Sequence, residues 1–298
     1  MTNFKKIVKA NLLKSILVFF VGCFALPAFA IIDISIKNSP NTTFYLQRIK
    51  GDRLFTLDSM QIVDGQIKFS WKAPYQAGMY RVYSGENSLY FLATEEDVIL
   101  ETKWPQLQGN LHIVQSKENE QWFSYLSLKK QTYQHLDLLN PIITWYDKDS
   151  DFYGIALQEF QKQQAAISLW IKDQKKDSTA YLAMQIIHSD IKPELPMGLS
   201  LEEQKEFFKE HWFAHVDWYD NDLINTNILT EKITEYLGLY ADRNRSKAEL
   251  QMAFKYAVDQ LIPKVENNDE MYAFVLDYLL RGFERFNLEV LKDSILKK

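Results

Sequence analysis

His211 and His215 stand four residues apart, and Asp217, Asp220 and Asp222 follow closely. On a helix an i, i+4 pair shares one face, where two imidazoles can bind zinc and a nearby carboxylate can join them. The residue after the first histidine is Trp212, however, not the glutamate that an H-E-x-x-H hydrolase uses as its base. Metal geometry also demands three or four ligands of the right kind, and two histidines do not make a centre. The bland reading is therefore preferred: both histidines flank the end of an amphipathic helix, each satisfied by a hydrogen bond, and no metal ligand or cofactor is assigned. A metal-dependent enzyme built on His211, His215, Asp217, Asp220 and Asp222 is kept as the alternative.

Other chemistries find less support in the residues. No G-x-S-x-G elbow occurs, and the turn serines Ser84 and Ser88 have no signature histidine nearby. Phosphate-cradling loops are absent. The stretch from Asp217 to Asp222 is rich in acidic oxygens but lacks the glycine and terminal glutamate of a calcium loop, so it reads as solvated acids at a helix start. His112, His135 and His188 show no partner pattern. Trp71, Trp104 and Tyr90 could line a carbohydrate or peptide groove, although large aromatics dominate cores and are expected to fill one here.

The one cysteine of the 298-residue chain, Cys23, sits inside an export leader. Lys5, Lys6, Lys9 and Lys14 supply a basic start, Ser15 to Ala25 an apolar run, and Ala28-Phe29-Ala30 an A-x-A cleavage signal after Pro27. The run is too short for a spanning helix, which needs roughly 20 residues. Lipid attachment at Cys23 is disfavoured because it would leave an apolar tether, Phe24 to Ala30, at the new N-terminus. Cleavage after Ala30 predicts a cell-envelope or periplasmic protein with no thiol and no transmembrane anchor.

Without the leader the chain carries 30 basic and 39 acidic side chains, a formal charge near −9. Such a surface repels phosphate backbones and anionic membranes, which excludes nucleic acid as an expected partner. Hydrophobic residues make up 47% of the chain, enough to build a core rather than a disordered segment.

Two periods divide the mature sequence. Residues 31–115 are written in short runs of period two: Ile32-Ile34-Ile36, Phe44-Leu46, Ile67-Phe69-Trp71, Met79 to Tyr83, Leu89 to Leu92 and Val98 to Leu100. Gly51, Gly65, Gly78 and Gly85 mark turns between them. This predicts an antiparallel β-sandwich or small barrel. Residues 116–298 switch to a 3.6 period, with Ser116 capping a helix that carries Trp122, Tyr125 and Leu126, and a stripe of Phe152, Ala156, Phe160, Ile167 and Trp170 on the next. Ser200-x-x-Glu203 and Ser246-x-x-Glu249 have capping-box spacing. Phe254, Leu261, Phe274, Tyr278 and Leu279 continue the helical pattern. The expected class is α+β with segregated parts, a β-rich domain followed by an all-helical one.

Several short motifs carry a resemblance: Asp64-Gly65-Gln66-Ile67-Lys68-Phe69, Gly78 to Val82, Ser116-Lys117-Glu118-Asn119-Glu120, His211 to Trp218, Asn221 to Thr226 and Glu270 to Leu276. In these the chain resembles the β-rich domain of unknown function and helical region at the front of bacterial envelope thiol-disulfide interchange proteins of the thioredoxin superfamily. Such relatives continue into a thioredoxin-like domain with a C-x-x-C pair at a helix N-terminus. This sequence reaches Lys298 without that pair, and residues 31–298 hold no cysteine to attack or resolve a disulfide. The resemblance implies a non-catalytic binding or docking module, with an envelope protein or a thioredoxin-like protein as partner in trans. The first expected outcome is export: intact mass of envelope material gives a chain beginning at Ile31, and a mass that retains the leader or a lipid on Cys23 refutes the cleavage site.

Overall fold

The computed structural model describes residues 30–70, 76–174, 181–196, 198–242, 244–288 and 290–292. Residues 1–29, which hold most of the expected leader and Cys23, and Trp71 lie outside the described residues.

Eight strands come first: β1 (Ile31–Lys37), β2 (Thr43–Lys50), β3 (Arg53–Gln61), β4 (Gln66–Ser70), β5 (Gly78–Ser84), β6 (Asn87–Ala93), β7 (Val98–Lys103) and β8 (His112–Gln115). They form two open four-stranded sheets, ordered β4-β1-β7-β8 and β3-β2-β5-β6. In a strand successive side chains point to opposite faces, and Ile32, Ile34 and Ile36 of β1 accordingly face inward with Ile67 and Phe69 of β4. They meet Phe44, Leu46, Tyr80, Val82, Leu89 and Phe91 of the second sheet in one shared core. The sandwich form of the expectation is the one realised, with one departure: β1 and β7 pair in parallel, Ile32 opposite Val98. Strands β3 and β8 have no counterpart among the period-two runs.

Seven α-helices follow among the described residues: α1 (Lys117–Trp145), α2 (Asp151–Gln174), α3 (Tyr181–Asp190), α4 (Leu201–His211), α5 (Ile228–Gly238), α6 (Lys247–Val265) and α7 (Asp269–Arg285), with a 3-10 turn at Asn221–Asn225 before α5. Ser116 caps α1, and both serine–glutamate capping boxes form, on α4 and α6. On α2 the buried residues are Ala156, Phe160, Ile167 and Ile171, whereas Phe152 at the helix start is 49% exposed. None of the described helices is long and apolar enough to cross a membrane.

The helices do not form a core by themselves. Ile49, Met79 and Leu92, on the outer face of the second sheet, are buried in the helical cluster. The junction centres on the stretch Ser116–Asn119, joined by Glu96 from the β6–β7 loop. The Glu96 carboxylate accepts from the Ser116 hydroxyl at 2.6 Å, Glu118 N at 3.0 Å and Lys117 N at 3.2 Å. It thereby satisfies orphan amides at the positive end of α1. Asn119, fully buried, accepts from Leu92 N at 2.8 Å and donates to Leu92 O at 2.7 Å, so its amide serves the outermost strand β6 as a neighbouring strand would. Glu118 accepts from Ala183 N at 2.6 Å and Leu182 N at 3.3 Å and so caps α3.

A second contact joins the parts at the β2–β3 turn. Gly51 N donates to Ile224 O at 3.1 Å and Thr226 O at 2.9 Å. A Cβ on Gly51 would stand 2.8 Å from the Phe274 ring, and its φ of +60° is a region that favours glycine. Gly78 opens β5 directly against the 3-10 turn, where a Cβ would lie 2.7 Å from Asn225 O.

Replacing Asn119 leaves two buried backbone groups of Leu92 unpaired, each costing about 1–3 kcal/mol. Asn119→Ala is therefore expected to destabilise the protein by about 2 kcal/mol or more, while Glu120→Ala, on the exposed neighbour, changes little. Urea denaturation of the two variants checks this, and equal midpoints would refute the role assigned to Asn119.

Candidate functional site

Helix α4 ends at His211, with Trp212 as its C-cap. His215 lies in the turns beyond, so the two histidines do not share a helical face as their spacing predicts. The chain leaves the helix there because Trp212, Phe213 and Trp218 all turn into the helical core. His211 Nδ1 is 2.9 Å from Phe207 O, and its ring stacks on Phe207 with centroids 4.3 Å apart. Asp217 accepts from Tyr219 N at 2.9 Å, and Asp220 caps the 3-10 turn by accepting from Asp222 N at 3.0 Å. Burial pushes the Asp220 carboxyl up. Among the described residues no group of three or more His, Cys, Asp or Glu is placed to hold a metal ion.

The tertiary structure instead gathers an ionic cluster from α1, α3 and α5. Asp190 accepts from the Tyr125 hydroxyl at 2.7 Å and from the Lys129 ammonium. Lys232 is only 3% exposed, donates to Ile191 O and lies over the Trp212 ring at 5.2 Å, while the Trp212 indole donates to Lys232 O at 3.0 Å. A sequence signal for Lys232 exists, since Ile228 and Tyr236 stand four residues to either side of it, on the buried face of α5.

The aromatic candidates separate. Trp104 packs edge-on against Phe44 at 6.2 Å and closes the sandwich core. Tyr90 is 37% exposed on the outer face of the second sheet. There the Arg81 guanidinium lies 4.7 Å from the Tyr83 ring and 5.6 Å from Tyr90, and Tyr45 stacks on Tyr83 at 5.3 Å. Beside this face runs β3, at the edge of its sheet and exposed along nearly all its length, with Leu54, Phe55 and Leu57 open to solvent. The described residues also line cavities, three of them relevant here. Two adjoin between α1, α2 and the 191–204 stretch, of about 280 and 310 Å³, and a third of about 480 Å³ lies between the β2–β3 hairpin and α7.

Residues 30–122 match the family described as Domain of unknown function (DUF4369). The match runs through all eight strands and into α1 as far as Trp122, and so includes Glu96, Ser116, Glu118 and Asn119. No curated protein and no solved structure matches the chain.

Burial lowers the Lys232 pKa from 10.5 to about 8, against the raising effect of Asp190 and Glu235. The folded state thus holds fewer protons than the unfolded chain between those values, and stability rises with pH across that window. Below it the buried charge costs on the order of 3 kcal/mol. In Lys232→Met this pH-dependent gain is expected to vanish, so that the wild type gains about 2 kcal/mol on the variant between about pH 8 and pH 10. Chemical denaturation at the two pH values checks it, and parallel changes in both proteins would refute it.

Proposed function

We propose that this protein is a non-catalytic docking module of the cell envelope, related to the front half of thiol-disulfide interchange proteins. Its partner is an envelope protein, a thioredoxin-like protein acting in trans among them. The observation that carries this reading is β3: a nine-residue strand at an open sheet edge, exposed on both faces, with apolar Leu54, Phe55 and Leu57. An unpaired edge offers a row of backbone donors and acceptors to an extended segment, and alternate side chains add selectivity. The opposite edge of the same sheet, β6, has Leu92 already paired with Asn119. The leader pattern supports the compartment, and residues 31–298 hold no cysteine of their own to exchange a disulfide.

A photoreactive residue placed at Leu57 in producing cells is expected to give a discrete adduct with one other envelope protein. The same residue at Leu138, 73% exposed on α1, gives none. Equal labelling at both positions, adducts only between copies of this chain, or retention in the cytoplasm would overturn the proposal.

A further inference from the structure

The cavity of about 480 Å³ between the β2–β3 hairpin and α7 is lined by Arg48, Lys50, Arg53 and Arg281, with Phe55, Ala273 and Phe274 as its apolar part and Glu270 and Asp277 as its acids. Its volume lies within the range of small-ligand sites. Four cations in one cleft are notable in a chain whose net charge is −5.

The cations are not equally engaged. Arg281 holds Asp52 in a fork of two 2.7 Å bonds and reaches Asp277 at 3.1 Å, and Arg53 also pairs with Asp277. These contacts hold the hairpin against α7 and consume both arginines. Glu270 is engaged by Asn221 at 2.9 Å. Arg48 lies over the Phe55 ring at 5.7 Å and bonds Gln76, yet its buried Nε has no hydrogen-bond partner. Lys50 is half-buried, and its ammonium has no hydrogen bond or ion pair among the described residues. Arg48 and Lys50 are thus the two cations of the cleft that no carboxylate among the described residues holds.

We propose that this cleft binds a carboxylate joined to an apolar body. Four cations meet three carboxylates, Asp52, Glu270 and Asp277, leaving a surplus of one positive charge. That surplus matches a monoanion, whereas a phosphate dianion would leave the cleft with one negative charge in excess. Arg48 and Lys50 supply the charge-assisted donors, and Phe55 and Phe274 receive the apolar group. The carboxylate can come from a free organic acid or from the C-terminus of a peptide, since Arg53 and Phe55 belong to the same strand whose edge lies open. The site stands whether or not β3 docks a partner.

The probes are 3-phenylpropanoate, 3-phenylpropanamide, inorganic phosphate, and a short peptide ending in phenylalanine as free acid and as amide. They are titrated into the purified protein and followed by backbone amide shifts of Gly51, Phe55 and Ala273. At least one carboxylate is expected to bind tighter than about 5 mM with shifts confined to these positions. Its amide and phosphate bind at least about tenfold more weakly, as one lost charge-assisted bond implies. Lys50→Gln should weaken the carboxylate about tenfold and Lys50→Arg restore it, with Lys255→Gln on α6 without effect. Tighter binding of the peptide acid assigns the source to a C-terminus, and tighter binding of the free acid to a small molecule. No carboxylate binding, equal binding of the amides or of phosphate, shifts elsewhere, or indifference to Lys50→Gln would overturn the proposal.

Discussion

Leu92 lies on the outermost strand of the second sheet, and its backbone N–H and C=O are both met by the side chain of Asn119. Buried main-chain groups must be paired, so a sheet edge that enters a protein interior needs a partner that is not a strand. Asn119 has one acceptor and two donors at the required separation, and its second donor goes to the Ser116 hydroxyl at 2.7 Å. Because Ser116 is the N-cap of α1, covering the edge and starting the helix are a single event. Glu96 fixes the same turn from the strand side, and Glu118 passes the constraint to the start of α3. Ser116, Glu118 and Asn119 in one turn, with Glu96 from the β6–β7 loop, thus set where the helical layer sits on the sheet.

Burial of the Glu118 carboxylate is the cost of that arrangement. Its pKa is pushed up by desolvation, and amide donors from Ala183 and Leu182 act against the rise. A buried carboxylate bonded by the amides at a helix N-terminus is tolerable because the donors and the helix dipole both favour its charge. Lys232 meets the opposite case, a buried ammonium with a carbonyl partner at Ile191 and an indole face nearby. Both groups are held by contacts between elements far apart in the chain.

The second seam, at the β2–β3 turn, leaves the two sides of the molecule unlike. Gly51 and Gly78 permit backbone-to-backbone approach against Ile224, Asn225 and Thr226, so the motif residues from the strands and from the 3-10 turn meet in space. Away from that seam the second sheet stays open, with the Tyr45–Tyr83–Arg81 stack on its outer face and β3 at its edge. The acids and histidines that first suggested catalysis lie elsewhere, in a segment whose Asp217 and Asp220 cap turns and whose Trp212 and Trp218 fill the core.

The amino-acid sequence by itself determined the class α+β, the buried face of β1 and β4, and the starts of α1, α4 and α6. Each of these follows from a repeat of two or 3.6 residues or from a cap, and such signals are local. It left β3 and β8 unread because edge strands exposed to solvent need no alternation to stay folded. His211 and His215 had the spacing of a shared face, but burial of Trp212 and Phe213 ended the helix between them. Only the tertiary structure decided that Asn119 serves Leu92, 27 residues away, and that Arg281 grips Asp52 across 229 residues. Pairings over such separations depend on how elements pack, and no spacing within either segment records which distant group will lie opposite.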